Sequence, residues 1–457
     1  MSKIFMFIGA ENSVHVYYEL IDQLNQISDN EYFLLCNTMV DCQKISLETN
    51  SGRNITYIQL GKYSKPDYYS RNDWTENKRG VISKAKFWIK GLGNYNVLKI
   101  LANKCDIKRK IQRIKEQEKK IIALLYEHKP DMVMVDSGYR AGYELALLKQ
   151  ARLLEIPVFL IPFTKFISPE EMLSMGFKLV KYTRDKKQDY RIKKIKQNYP
   201  NQVYTTGEYD LLRYPINDII SMARREVLPF NPWFVGGNQF TEAFTSDDTD
   251  YRASKNSLPK RYSDKITKVR AIEKTGLLNY LNDRNNKRNE LNIRYGIGDG
   301  SIAVLATEAF AESSYPISYD DSIAVYTYVR DLLLDEYDYV IIALHPRMSK
   351  SKYEVLSIDG KCFIAKERLY KIASLCDVFV GYTPFLTAEM VADICMPTIM
   401  LNLDDMYRII NDGDISIIQE KIHHSKEDVN SEIKYIGKNE VNFSNYFFDK
   451  YLVSRNS

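Results

Sequence analysis

The order of apolar runs in the last third of this chain constrains its fold more than any other feature. Tyr339–Leu344 is apolar and stops at His345-Pro346-Arg347. A helix-patterned stretch follows, then a second apolar run, Asp377–Val380, which stops at Gly381-Tyr382-Thr383-Pro384. Another helix-patterned stretch leads to a third run, Thr398–Leu401. Upstream, a strand at Ile302–Ala306 and a helix over Tyr319–Leu334 open the same series. Strands that alternate with helices build a parallel sheet. In open sheets of this kind ligands bind at the carboxyl ends of the strands. Both polar clusters fall there.

Each cluster suits an anion. Pro346 ends its strand and fixes the turn. His345 can donate to a phosphate oxygen, and Arg347 adds a fork of donors. Lys350 and Lys352 extend the positive field. In the second cluster, Gly381 permits close backbone approach. The hydroxyls of Thr383 and Thr387 can meet phosphate, and the N-terminus of the next helix points its N–H groups the same way. Glu389 can accept a ribose hydroxyl, and Glu308, at the end of the 302–306 strand, can face the same donor. The bland readings are a polar strand end and a helix cap with a locally paired Glu389.

The amino-terminal half uses the same alphabet. A strand at Ile4–Ile8 meets a Gly9-Ala10-Glu11-Asn12 turn, and Ser13 is placed to cap a helix through Val16, Leu20 and Leu24. Strands follow at Tyr32–Cys36 and Ile55–Leu60, and a long basic helix covers about 97–128. Residues 62–92 read as a long loop. Met132–Asp136, a turn at Ser137–Arg140, a helix over Ala141–Leu154 and a strand at Val158–Ile161 make a βαβ unit. Asp136 ends its strand, where chemistry is usually placed. Pro229–Pro259 reads as loop-rich, with Trp233 as a packing anchor, and a strand at about 268–272 approaches a hinge near Thr275–Asn282.

From about 300 to 402 the pattern resembles the donor-binding domain of GT-B glycosyltransferases. It is most similar to bacterial types with an HP or HPR motif followed by a Ser/Thr-rich turn: sialyltransferases, Kdo transferases and CDP-glycerol polymerases. The non-hydrolysing UDP-N-acetylglucosamine 2-epimerases share that architecture. The resemblance implies an α/β fold of two Rossmann-like domains facing a cleft. It implies an acceptor domain over 1–275, a nucleotide-sugar domain over 276–438, and a segment at 439–457 crossing back to the first domain. It places nucleotide phosphates at His345, Arg347, Thr383 and Thr387, although this chain spells its turn TPFLT rather than with paired serines. It implies an inverting, metal-independent transfer without a cofactor. A base from the acceptor domain would deprotonate a glycan hydroxyl. Asp136, Glu11 and His15 are the candidates, with Ser137 and Arg140 placed to orient the acceptor. Two other readings stay open: an epimerase of the same architecture, and a non-catalytic scaffold that keeps the fold.

Composition narrows the classes. The chain has 457 residues, enough for two or three domains. No apolar run reaches about 18 residues, so no transmembrane helix is expected. The short first run stops at Glu11 and reads as a strand rather than a signal peptide. None of the six cysteines forms a CxxC pair, which fits free thiols in a reducing cytoplasm. The net charge is only +5, but 104–120 and 177–197 are strongly basic. They read as solvated helix faces, as a surface for anionic lipid head groups at the inner membrane face, or as acceptor contacts. No nucleic-acid module accompanies them. Asp248-Thr249-Asp250 and Asp412-Gly413-Asp414 have metal-motif spacing but lie in polar, loop-like contexts, so no metal site is expected.

Overall fold

The computed structural model describes residues 1–9, 13–36, 54–61, 95–162, 169, 179–183, 190–312, 317–345, 348–382, 391, 394, 396–412, 416, 419–420 and 440–453. The chain divides into two compact units, Met1–Val269 with Phe443–Ser457, and Arg270–Asn442. Each is built on a parallel sheet that alternates with helices in sequence, a Rossmann-like domain.

In the first unit, strands β1 (Ser2–Ile8), β2 (Asn30–Cys36), β3 (Ile55–Gln59), β4 (Met132–Val135) and β5 (Val158–Leu160) enter one sheet. The apolar residues of β1, β2, β4 and β5 are buried and those of β3, at the sheet edge, half-buried, and β1 pairs in parallel with both β2 and β4. The intervening helices are α1 (Val14–Asn25), α2 (Tyr95–His128) and α3 (Tyr143–Leu153). Helix α1 starts at Val14, and the Ser13 side chain makes no capping bond. Phe5, Phe7, Val133 and Val135 share one core with Ile121 and Leu125 of α2 and Leu145 and Leu148 of α3. Each such side chain contributes roughly 1.5–3 kcal/mol on burial.

A three-stranded antiparallel sheet, order β6-β8-β7, comes from β6 (Val180–Thr183), β7 (Val203–Thr205) and β8 (Tyr209–Leu212), with α4 (Tyr190–Asn198) and α5 (Ile216–Arg224) beside these strands in sequence. The stretch read as loop-rich is more ordered than expected. It contains β9 (Glu242–Thr245) and α6 (Asp248–Ser257), both of which join the first unit. Asp247 caps α6 by accepting from Asp250 N–H at 2.8 Å, so Asp248-Thr249-Asp250 is a helix start. Trp233 is buried, as an anchor should be, and packs near Tyr204. The next strand is β10 (Ile266–Lys268), not 268–272. The full order of the main sheet is β10-β9-β5-β4-β1-β2-β3.

The second unit starts with α7 (Ile272–Asn282), a helix that occupies the whole expected hinge, and α8 (Arg284–Tyr295). Its sheet has the order β13-β12-β11-β14-β15, all parallel. The strands are β11 (Ile302–Ala306), β12 (Tyr339–Ala343), β13 (Cys362–Ile364), β14 (Val378–Tyr382) and β15 (Thr398–Leu401), with α9 (Tyr319–Glu336), α10 (Leu369–Ala373) and α11 (Leu403–Asp412) among them. Alternate residues feed two cores. Ala303 and Leu305 pack with Val325 and Val329 of α9. Ile302 and Val304 pack with Leu277 and Leu291 of α7 and α8. A sheet buried on both faces explains the near-continuous apolar runs.

The chain then returns to the first unit through α12 (Phe443–Phe447), which runs on as a wider turn over Phe448–Leu452. Phe443, Phe447 and Tyr451 pack on Phe159 and Phe244 of β5 and β9. Buried Glu242 binds Thr267, Tyr446, Lys450 and Tyr451, which pull its carboxyl below the usual range against the effect of burial.

Candidate functional site

Each sheet reverses its winding beside its first strand, and ligands bind at such reversals. In the first unit the reversal lies between β1 and β4, whose ends carry Gly9 and Asp136. Gly9 N–H donates to Asp136 Oδ2 at 3.2 Å. A Cβ on Gly9 would lie 2.6 Å from Asp136 Oδ1 and closer still to the Arg140 guanidinium. Only glycine fits there. The Asp136 side chain is 0% exposed, and Arg140 Nη1 lies 3.9 Å from Oδ2. Oδ1 is buried with no hydrogen-bond partner among the described residues.

The turn after β4 is held from several sides. Glu144, in the first turn of α3, accepts from Ser137 Oγ at 2.9 and 2.8 Å, from Gly138 N–H, and from Arg140 N–H at 3.2 Å. Gly138 has φ +72°, and the Phe240 ring fills the place of its missing Cβ. Asn238 Nδ2 donates to Gly138 O at 2.8 Å, and Tyr214 OH donates to Tyr139 O. The Arg213 guanidinium lies 3.6 Å from the Tyr139 ring centroid. From α1, Tyr17 donates to Phe7 O at 2.8 Å.

Charge is concentrated in this cluster. Burial, then the nearby Asp136 charge, pushes the Glu144 carboxyl up to about 7, against Arg140, the Ser137 hydroxyl and Gly138 N–H. Burial, then Asp136 and Glu144, holds the Tyr17 phenol well above its ordinary value. Burial works against the Arg140 charge, but Asp136 and Glu144 outweigh it and raise its pKa.

The second unit reverses between β11 and β14. Here the hydrogen bonds run between hydroxyls and backbone groups. Thr307 Oγ1 donates to Ala343 O at 3.2 Å and accepts from His345 N–H at 3.1 Å. Met348 N–H donates to His345 O at 2.8 Å, closing the turn after β12. Tyr326 OH accepts from Glu308 N–H at 3.1 Å and donates to Glu308 O. Gly381 lies inside β14, which runs on to Tyr382, and the Phe379 ring occupies its Cβ position at 2.7 Å. That glycine therefore admits an internal aromatic packing contact.

The structure brings Asp136, Ser137 and Arg140 into one cluster and commits the Ser137 hydroxyl to Glu144. His15 is half-buried in the first turn of α1. Glu308 and His345 lie two residues past the ends of the adjacent strands β11 and β12, and Gly381 lies within the neighbouring β14. Glu11, Pro346, Arg347, Thr383, Thr387 and Glu389 lie outside the described residues. Glu144, Tyr17 and Thr307 were missed. Glu144 looks like a favourable first-turn acid, and Tyr17 and Thr307 look like ordinary core and strand-end residues. Among the described residues no group of three His, Cys, Asp or Glu could hold a metal, and no helix is long and apolar enough to cross a membrane.

No protein-family model matches the chain, and no curated protein matches it in sequence. Solved structures are similar in fold. The UDP-GlcNAc 2-epimerase from Methanocaldococcus jannaschii is 12% identical with a TM-score of 0.48, covering 100% of both chains. The Neisseria meningitidis UDP-GlcNAc 2-epimerase bound to UDP-GlcNAc is 12% identical with a TM-score of 0.46, covering 99% of this chain and 100% of that one. MurG from Acinetobacter baumannii is 11% identical with a TM-score of 0.40, covering 99% of each chain. The architecture rests on the strand orders above.

Proposed function

We propose that this chain is a glycosyltransferase that moves a sugar from a nucleotide-activated donor to a glycan or glycoconjugate hydroxyl. The observation that carries the reading is Asp136 Oδ1, a buried acceptor at the β1/β4 reversal that has no hydrogen-bond partner among the described residues. A buried oxygen in that state gains from a hydroxyl donor. Bound there, the acceptor hydroxyl gives its proton to Asp136 while its oxygen attacks the anomeric carbon and the nucleotide leaves. Arg140 balances the charge. The nucleotide phosphates go to the second unit, at the turn carrying His345, with Arg347, Thr383 and Thr387 as further phosphate contacts. The sugar nucleotide is UDP- or CMP-linked, and neither a metal nor a cofactor takes part.

The exposed cations of α2, Lys104, Lys108, Arg109, Lys115 and Lys119, with exposed Ile100 and Leu101, suit an anionic membrane surface. Lys110 and Lys120 do not belong to that face, because they bind Asp218 and the carbonyls of Gln59 and Leu60. Cosedimentation with phosphatidylserine vesicles should fall as salt rises.

A second reading is a sugar-nucleotide epimerase. It is favoured by one observation, the proximity of two buried carboxylates, Asp136 and Glu144. A thermal-shift panel of UDP-N-acetylglucosamine, UDP-glucose and CMP-N-acetylneuraminate tests the donor. NMR of the sugar then separates the reactions. Nucleotide release that depends on a glycan acceptor supports transfer. A new epimer formed without acceptor supports the second reading. No binding by any of the three sinks both.

A further inference from the structure

Glu144 is a buried carboxylate that the transfer scheme leaves unused. It is 1% exposed, and its two oxygens take the Ser137 hydroxyl and the N–H groups of Gly138 and Arg140. That turn begins directly after Asp136 and ends at Arg140, whose guanidinium returns to Asp136. The groups facing this enclosure are Asp136 at the end of β4, Arg140 and Tyr139 in the turn, and Tyr17 from α1.

We propose that Glu144 is a positioning residue that holds the Ser137–Arg140 turn, and so Asp136 and Arg140, in working geometry, with its own charge state deciding how firmly. This rests on the reading of Asp136 as the base. An ionised carboxylate accepts at both oxygens, as the three turn donors require. A protonated one turns an oxygen into a donor facing donors and gives up a bond to the turn. Burial and Asp136 favour the protonated form; Arg140, Ser137 and Gly138 favour the ionised one. With the carboxyl pushed up to about 7, the turn tightens as pH rises through neutrality.

The test is a carbon-13 NMR titration of carboxyl-labelled glutamate between about pH 5 and 9, which brackets the Glu144 value. One resonance should titrate near 7, vanish in Glu144→Gln, and move to higher pH in Ser137→Ala, which removes a donor to the ionised form. Single-turnover release of UDP from UDP-N-acetylglucosamine and of CMP from CMP-N-acetylneuraminate, with water as the sugar acceptor, is then followed on the same proteins and on Asp136→Asn. The wild-type rate should rise through neutral pH. Glu144→Gln should lose that rise and about 10²-fold in rate with nucleotide KM unchanged, as expected for a misplaced reacting group. Ser137→Ala keeps Glu144, so its shifted rise tests the proposal by itself if Glu144→Gln fails to fold. A Glu144 carboxyl that does not titrate near 7 overturns the proposal. So does a slow Asp136→Asn beside a Glu144→Gln of wild-type rate and profile. Wild-type rate in Asp136→Asn overturns the base reading, and this proposal with it.

Discussion

The two units carry the same topological device and fill it with different chemistry. At the β1/β4 reversal, the first unit encloses two carboxylates, a guanidinium and a phenol, one carboxylate oxygen having no hydrogen-bond partner among the described residues. At the β11/β14 reversal, the second unit arranges hydroxyls and backbone groups around Thr307, Glu308 and His345. Buried ionisable groups are costly and respond to pH, and they suit proton transfer. Hydroxyl and backbone N–H donors at strand ends suit an anion instead. The difference teaches that a shared fold predicts where a ligand binds, while side chains decide what is done to it.

The largest expected effect tests the first side of that comparison. Asp136→Asn should slow single turnover by about 10²–10⁴-fold while nucleotide affinity, measured by calorimetry, stays near wild type. Loss of affinity with normal chemistry would move Asp136 to the donor site and erase the division of labour. On the other side, His345→Ala should cost about 10²–10³-fold in turnover by removing a donor to the leaving phosphate. Unchanged turnover in that protein would leave the second unit without its assigned role.

Stability should separate the units next. The Glu144 carboxyl is raised from an ordinary 4.5 to about 7, so the folded state binds its proton more tightly than the unfolded chain. Stability from this group is therefore present in full below about 4.5 and falls as pH rises toward 7. Denaturant titrations at acid and alkaline pH should show wild type losing about 1–3 kcal/mol more than Glu144→Gln across that window. Equal losses would remove the charge contrast. The smallest effect belongs to the Thr307 hydroxyl of the second unit. Thr307→Val leaves His345 N–H and Ala343 O without the hydroxyl, at a cost of about 1–2 kcal/mol that should not change with pH.

Several elements were readable without the fold. The runs 302–306, 339–344 and 398–401 sit at or near their observed strand limits, because a sheet covered on both faces demands unbroken apolar residues. Asp136 was legible as a strand end. The hinge was not. Thr275–Asn282 lacks a strong apolar period because α7 is buried over much of its length, and the segment is helix throughout. The loop-rich reading of 229–259 failed similarly. Four residues of β9 among Gly, Ser and Asp give too short a pattern, and parallel pairing with β5 and β10 supplies the rest.

By itself the sequence determined the alternation of strands and helices, and with it the parallel sheets and the ends where polar residues collect. Those follow from local periodicity and burial along a few consecutive residues. Only the tertiary structure decided that Glu144 closes on the turn beginning seven residues behind it. It alone brought Gly9 against Asp136 across 127 positions. It also chose the rings Phe443, Phe447 and Tyr451 as the ones that pack on Phe159 and Phe244. Hydrogen bonding and charge coupling act over a few ångströms of space, and sequence separation carries no record of which residues the sheet will make neighbours.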